Sequence, residues 1–206
     1  MTETIPVVHV IDDDDSVRKA VTRLLKAAGY EAQDYANAGD FLLAAPTAAS
    51  GCLVLDVRMP GPSGLELQAA LKRQGNCLPI IFLSGHGDIP MSVQAIKAGA
   101  VDFLTKPVQR QALLAAVSHA LEINRATSAE RARSEFLQSC YQALTERDRE
   151  IFRMVVQGRL NKQIASALGI AERTVKAHRA QVMEKMQVTT LADLVRVAGE
   201  LGLEAA

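Results

Sequence analysis

The chain contains no tryptophan and only 4% aromatic residues, so any core it forms must be built mainly from aliphatic side chains. Its three cysteines, Cys52, Cys77 and Cys140, form no CxxC pair and leave an odd one. That excludes a disulfide framework or a thiolate zinc site and predicts a reduced, cytoplasmic chain. No apolar run approaches the ~18 residues of a membrane span, and the N-terminus lacks a signal-peptide pattern, so neither secretion nor a membrane partner is expected. Net charge is absent too, with 23 Lys/Arg against 23 Asp/Glu, but the balance is unevenly distributed. Residues 1–120 carry 10 basic against 12 acidic side chains, and residues 141–206 carry 10 against 8. Within 158–186 the count is 6 against 2, an excess that suits a nucleic-acid face. A length of 206 residues allows one large domain or two small ones.

What is present is organised around the stretch from Gly51 to Gly64. Cys52 to Leu55 is too short for a buried helix and reads as a strand buried on both faces. Asp56 ends it, and Pro60, Gly61, Pro62 and Gly64 then force an exposed turn. In an open parallel sheet that edge is where ligands bind. A second strand, Val7 to Ile11, runs directly into Asp12, Asp13, Asp14 and Asp15. If the two strands are parallel neighbours, Asp12 or Asp13 lies beside Asp56. Two carboxylates about 4 Å apart repel by roughly 4 kcal/mol at an effective dielectric near 20, so such a cluster needs a shared proton or a cation. Clustered hard oxygens favour Mg²⁺. Asp14 or Asp15 instead suits the start of the following helix, where acids complement the dipole.

The remainder of the first 120 residues alternates short strands with amphipathic segments. Val17, Val21, Leu24, Leu25 and Ala28 recur at helical spacing before Gly29; Glu31 to Tyr35 is a weak strand and Phe41 to Ala45 helical. Leu65 to Lys72 is helical, Pro79 to Leu83 a strand, Val93 to Ala98 helical, Val101 to Leu104 a strand and Leu113 to Leu121 helical. Five strands each followed by a helix predict a doubly wound, five-stranded parallel α/β domain over residues 1–124. Residues 125–140 contain no Gly or Pro and few apolar side chains, which favours a semi-rigid helical linker.

Residues 141–206 read as a separate all-α unit. Thr145-Glu-Arg-Asp148 resembles a capping box ahead of Ile151, Val155 and Val156, and Gly158 stops that helix. Asn161 is a plausible cap for Lys162 to Leu168, and Gly169 turns the chain into Glu172 to Met186. Two helices joined by a tight Gly turn in a basic unit are the helix-turn-helix signature, closed here by a helix over Leu191 to Leu201.

Two further strand ends complete a constellation in the first domain. Ile80 to Leu83 ends at Ser84-Gly85, and Val101 to Leu104 ends at Thr105-Lys106-Pro107. A nucleophilic carboxylate, a divalent cation, an ammonium and a hydroxyl together suit phosphoryl transfer to an aspartate, where catalysis is mostly positioning and charge neutralisation. A haloacid-dehalogenase-like phosphatase would need a second acid where Arg58 stands. A flavodoxin would need a Gly/Ser/Thr-rich loop where the four aspartates stand.

With Ile11-Asp12-Asp13, Leu55-Asp56, Ser84 and Phe103-Leu-Thr-Lys106-Pro107, the first domain resembles a response-regulator receiver of the flavodoxin/CheY-like fold. Ser84-Gly-His-Gly-Asp-Ile-Pro-Met91 and Lys97-Ala-Gly-Ala-Val-Asp-Phe103 are similar to the FixJ subgroup, including regulators of the styrene and toluene pathway type. The resemblance implies that Asp56 accepts phosphate from a sensor histidine kinase. Asp12, Asp13 and Asp56 with the Arg58 backbone carbonyl would hold Mg²⁺, Ser84 and Lys106 would grip the phosphate, and Phe103 matches the switch aromatic. Relatives often carry Thr and Tyr at the positions of Ser84 and Phe103. A cis Lys106-Pro107 peptide is expected, and Val93 to Val108 would form a phosphorylation-dependent homodimer face.

Residues 144–201 resemble the four-helix LuxR-type (FixJ/NarL) helix-turn-helix through Leu144-Thr-Glu-Arg-Asp148, Asn161-Lys-Gln-Ile-Ala165 and Arg173-Thr-Val-Lys-Ala-His178. At 100° per residue, Val175, Val182 and Met186 share one helix face, and Arg173, Lys176, Ala177, Ala180 and Glu184 the other. His178, beside the apolar stripe, is read as packed core, and Arg179 as reaching a phosphate. The expected DNA-binding residues are Lys162, Arg173, Thr174, Lys176, Ala177, Arg179 and Ala180. Relatives often carry a base-reading Lys at Ala180 and a capping Ser at Ala171. The chain is therefore expected to be a response regulator and transcription factor, not an enzyme, whose partners are a histidine kinase, double-stranded promoter DNA and RNA polymerase.

Overall fold

The aliphatic runs form five strands, β1 (Val7–Ile11), β2 (Glu31–Tyr35), β3 (Gly51–Asp56), β4 (Ile80–Ser84) and β5 (Asp102–Thr105). Between and after them run α1 (Asp15–Ala27), α2 (Ala38–Ala44), α3 (Gly64–Arg73), α4 (Ile89–Lys97) and α5 (Arg110–Gln142). The structure, a computed structural model, describes residues 5–44, 50–85 and 89–203. Ala45, expected in the helix begun at Phe41, lies outside the described residues, as do His86, Gly87 and Asp88 of the Ser84 to Met91 motif. Two units, Met1–Ser128 and Ala129–Ala206, each have their own core.

In the first unit the sheet order is β2-β1-β3-β4-β5 and every pair is parallel. Period-two alternation sends Val8, Val10, Cys52, Val54, Ile81 and Leu83 to one face, against Val21 and Leu25 of α1 and Leu113 and Val117 of α5. Ile11, Leu53, Leu55 and Phe82 point to the other, against Phe41, Leu67 and Ala95. All six residues of β3 are buried, which is why this strand reads as a continuous apolar run. Burial also pushes the Cys52 thiol up to about 12, so it stays protonated and behaves as a small hydrophobe. Because the chain passes from β1 outward to β2 and then back across to β3, the order reverses between β1 and β3. A crevice opens there at the carboxyl ends of the strands.

Several boundaries differ from the sequence reading. Asp14 is the N-cap of α1 and accepts from the Ser16 and Val17 amides, while Asp15 lies in the first turn. Helix α4 begins at Ile89, ahead of the expected Val93, because Pro90 falls in its first turn, where no intrahelical N–H is needed. The expected helix at 113–121 and the expected linker at 125–140 belong to one helix, α5, which contains no Gly or Pro to break it.

The second unit contains α6 (Glu146–Val156), α7 (Asn161–Leu168), α8 (Glu172–Lys185) and α9 (Leu191–Glu200). Leu137 and Cys140 of α5 join Ile151, Phe152, Ile164, Val175, Val182 and Leu194 in its core. Arg149 ends α5 by donating to the carbonyls of Tyr141 and Gln142, with its guanidinium carbon 5.5 Å from the Tyr141 ring centre. Gly169, at φ 64°, caps α7 in the left-handed conformation and makes the tight turn into α8. Asn161 is not the cap of α7: Leu160 holds that place, its amide satisfied by Gln163 Oε1, and Asn161 is the first helical residue. Its side chain is used elsewhere, as described below.

Thr145 caps α6 by accepting from the Asp148 amide, but Asp148 does not complete a capping box. Its carboxylate is turned into the unit, 1% exposed, where Oδ1 lies 2.8 Å from His178 Nδ1 and Oδ2 accepts from Lys185 Nζ at 2.8 Å. Burial opposes its charge, yet hydrogen bonds from Lys185, His178 and Thr145 outweigh that and hold its pKa down to about 2. Helices α6 and α8 are thereby tied together through one buried anion. Asp148→Asn keeps the shape and removes the charge. Since Lys185 and His178 are partly exposed and can turn to water, the second unit should lose about 1.5 kcal/mol, the lower end for a charged hydrogen bond. A pKa below the ordinary carboxylate value means that this stabilisation is complete above about pH 4 and lost as the pH falls toward about 2. Urea unfolding of the full chain, followed at the Val175 and Val182 methyl signals, should therefore show the wild-type advantage shrinking through that window. A difference that stays constant from about pH 5 to about pH 2 would contradict it.

Candidate functional site

The register of the sheet decides which side chains meet. Ile11 pairs with Leu55, so Asp12 and Asp56 leave the sheet side by side, and Ser84 pairs with Thr105, which sets Lys106 next to them. Carboxylate oxygens of Asp12, Asp13 and Asp56 all lie within 4.8 Å of one another. Asp12 is 1% and Asp56 7% exposed, while Asp13 is open to solvent. Lys106 Nζ reaches between the two buried acids, 2.7 Å from Asp12 Oδ2 and 3.1 Å from Asp56 Oδ2. The Lys106 amide donates to the Ser84 carbonyl at 2.7 Å, and the Lys106-Pro107 peptide is cis as expected. Ser84 is itself buried at the end of β4.

Asp56 is held from behind by close backbone packing. A Cβ on Gly64 would stand 2.3 Å from the Asp56 carbonyl oxygen and 3.0 Å from the Phe82 ring, so only glycine allows α3 to start this near the strand end. The Gly64 amide donates to Val57 O, and the Arg58 amide donates to Asp56 Oδ1 at 3.4 Å. The turn rich in Pro and Gly is thus the packing that fixes the acid as well as a breaker of the strand. Phe103 is half-buried on β5, its ring centre 6.3 Å from that of Phe82.

Electrostatics at this edge follow from burial and from the neighbours. Burial raises the pKa of Asp56; the Lys106 ammonium pulls it back, the Asp12 charge adds to it, the Arg58 amide lowers it, and the net result is above the ordinary carboxylate value. Lys106 is pushed down by its own burial, but Asp12 and Asp56 more than compensate and hold it above the usual lysine value. One ammonium faces three acids, which leaves a surplus of negative charge on hard oxygens. The donor set fits a divalent cation bound through carboxylates and water.

In the second unit, Arg173, Lys176, Ala177 and Ala180 are exposed on α8, opposite the buried Val175, Val182 and Met186. Thr174 is half-buried, and Lys162 is exposed on α7. Arg179 is half-buried and donates from Nη1 to Asn161 Oδ1 at 2.8 Å, which is where the asparagine side chain goes instead of capping. His178 is half-buried and not part of the core as expected, because its ring is drawn to the Asp148 carboxylate. Ala171 begins α8 with no side-chain cap. Sequence reasoning missed Arg18, whose guanidinium reaches the first site from α1, and the inward role of Asp148. Arg18 had no periodic or motif signal beyond an ordinary charged helix position, whereas Asp148 stood in the Thr145-Glu-Arg-Asp148 motif, which pointed to a cap and not to an inward partner.

A doubly wound sheet with an acid-and-lysine cluster at its switch point, in one chain with a helix-turn-helix unit, defines a regulator that couples a chemical switch to DNA binding. Residues 8–118 match the response regulator receiver domain and residues 142–198 the LuxR family of bacterial regulatory proteins. The chain belongs to these families and is a two-component response regulator and transcription factor. It is 44% identical over 201 residues to the response regulator protein TodT of Pseudomonas putida, covering 98% of this chain and 88% of that protein. It is also 44% identical over 202 residues to the transcriptional regulatory protein FixJ of Azorhizobium caulinodans, covering 96% and 93%. Among solved structures, the response regulator StyR matches with a TM-score of 0.89 at 44% identity over 96% of this chain and all of that one. Full-length FixJ from B. japonicum matches at 0.59 with 38% identity, over 97% and 98%. Among the described residues no helix is long and apolar enough to cross a membrane.

Proposed function

We propose that Asp56 is the phosphoryl acceptor and that its modification sets the DNA-binding output of the chain. The single observation that carries this is the placement of the Lys106 ammonium within 3.1 Å of both buried carboxylates, Asp12 and Asp56. One oxygen of Asp56 attacks phosphorus, the P–N bond to the kinase histidine breaks, and the imidazole leaves with the electron pair. The acyl phosphate so formed carries more negative charge than the carboxylate it replaces. Lys106 can turn from Asp56 to a phosphoryl oxygen, and the Ser84 hydroxyl can donate to another. Mg²⁺, held by Asp12, Asp13, Asp56 and the Arg58 carbonyl, would neutralise charge on the transferring group. Phe103 beside Phe82 would report the change by altering its packing. The chain so read is a switch that a kinase writes, not a turnover enzyme.

In this reading residues 1–124 form the receiver, 125–140 a helical linker and 141–206 the DNA-binding domain. Val93 and Ile96, each 46% exposed on α4, support the segment from Val93 to Val108 as the face of a phosphorylation-dependent homodimer. The histidine kinase, promoter DNA and RNA polymerase are the partners, and the cytoplasm is the place where all three meet. On DNA, Arg173, Thr174, Lys176, Ala177 and Ala180 face the major groove, whereas Lys162 and Arg179 touch backbone.

Asp56→Asn should abolish Mg²⁺-dependent labelling by acetyl phosphate, because an amide neither attacks phosphorus nor contributes charge to the cation. Mass spectrometry of the intact chain measures this, and labelling that persists at full stoichiometry would sink the assignment. For the DNA face, an interaction with phosphate contributes at every sequence and releases a counterion, whereas one with a base edge discriminates by roughly 1–3 kcal/mol. Lys162→Ala should weaken operator and scrambled DNA together and make the salt slope about 0.9 shallower for each phosphate the lysine had neutralised. Lys176→Ala should chiefly reduce preference for the operator. Salt titrations of both variants on both DNAs test this, and an equal weakening on both DNAs for Lys176→Ala would show α8 to be wrongly placed.

A further inference from the structure

We propose that Arg18 is a positioning residue of the acidic site, fixing the backbone between Asp12 and Asp13 so that their carboxylates are held ready for a divalent cation. This rests on the reading of that site as a Mg²⁺ site. Arg18 lies one turn into α1 with its side chain only 11% exposed, and its planar fork meets three acceptors. Nη1 donates to the Asp12 carbonyl at 2.8 Å, Nε donates to Asp34 Oδ2 at 3.3 Å, and Nη2 pairs with Asp15. The Asp12 amide donates to the Tyr35 carbonyl at 3.2 Å, so Asp12 is fastened on both sides of its Cα. Its carboxylate is fastened in turn: Oδ1 accepts from the Asp14 amide at 3.0 Å. The carbonyl that Arg18 grips belongs to the peptide joining Asp12 to Asp13, and that plane sets where the exposed Asp13 carboxylate points. Asp34 at the end of β2 anchors the guanidinium from the other side.

Two physical roles for this arginine predict effects of opposite sign. As a charge it repels a cation and offsets Asp15 and Asp34, so removing it would leave more negative charge at the edge and tighten Mg²⁺ binding. As a positioner it preorganises the ligands, and outer-sphere partners of metal ligands typically contribute 10–100-fold in affinity. The geometry favours the second: two of the three acceptors are acids outside the cluster, and the third is the backbone of a cluster ligand. Lysine keeps the charge but lacks the fork that reaches three acceptors at once.

Calorimetric Mg²⁺ titration of the full chain decides between them, with thermal unfolding in EDTA as the check on folding. Arg18→Ala should bind Mg²⁺ about 10-fold more weakly than wild type, and Arg18→Lys should recover less than half of that loss on a logarithmic scale. Tighter or unchanged binding in Arg18→Ala overturns the proposal. Should Arg18→Ala fail to fold, Arg18→Lys carries the test: several-fold weaker binding supports positioning, and binding equal to wild type overturns it. If wild type itself takes up no Mg²⁺ at millimolar concentration, the reading of the acidic site fails and the proposal with it. That outcome is distinct from wild-type binding that the variants leave unchanged.

Discussion

The receiver half of this protein depends on one interaction, that of the Lys106 ammonium with the buried carboxylates of Asp12 and Asp56 on either side of it. Without a cation there, two buried acids on adjacent strands would repel by roughly 4 kcal/mol at an effective dielectric near 20. The rest of the unit serves to bring these groups together. Parallel pairing of β1 with β3 sets the acids side by side, β4 and β5 deliver Ser84 and Lys106, and Gly64 lets α3 pack against the Asp56 backbone. One ammonium does not balance the charge of three acids. That residual charge suits the edge to a divalent cation.

Two buried aspartates show how environment decides use. Asp56 is raised because burial and the Asp12 charge outweigh Lys106 and one long amide hydrogen bond. Asp148 is also buried, yet Lys185, His178 and Thr145 bring it down to about 2. The first is under-compensated; the second is saturated and ties α6 to α8. The same side chain is thus left with a raised pKa in one unit and held as a fastening in the other, according to how many donors converge on it.

Much of this was legible in the chain itself, for physical reasons. Buried parallel strands are apolar on both faces, so β3 and β4 stand out as continuous runs, and ligands of an open sheet lie at strand ends, so Asp12, Asp56, Ser84 and Lys106 could be picked out from the sequence alone. Helix faces repeated faithfully enough to separate Val175 and Val182 from Lys176. What failed was local polar chemistry whose partner is distant in sequence. Asn161 looks like a cap but bonds Arg179, and Asp148 looks like half of a capping box but bonds His178 and Lys185. Arg18 likewise finds its partners away from its own helix, at the Asp12 carbonyl and Asp34. Helix ends were less legible where nothing breaks the chain: the helix expected over 113–121 runs without interruption through the stretch expected to be a helical linker.

We propose that charge added at the Asp12, Asp13 and Asp56 edge changes how the helix-turn-helix unit binds DNA. The decisive measurement is operator affinity of the full chain with Mg²⁺ and beryllofluoride together, with each alone, and with neither. Binding should tighten only when both are present, with no such change in a chain carrying Asp56→Asn. Equal affinity under all four conditions, or the same tightening in the Asn variant, would contradict it.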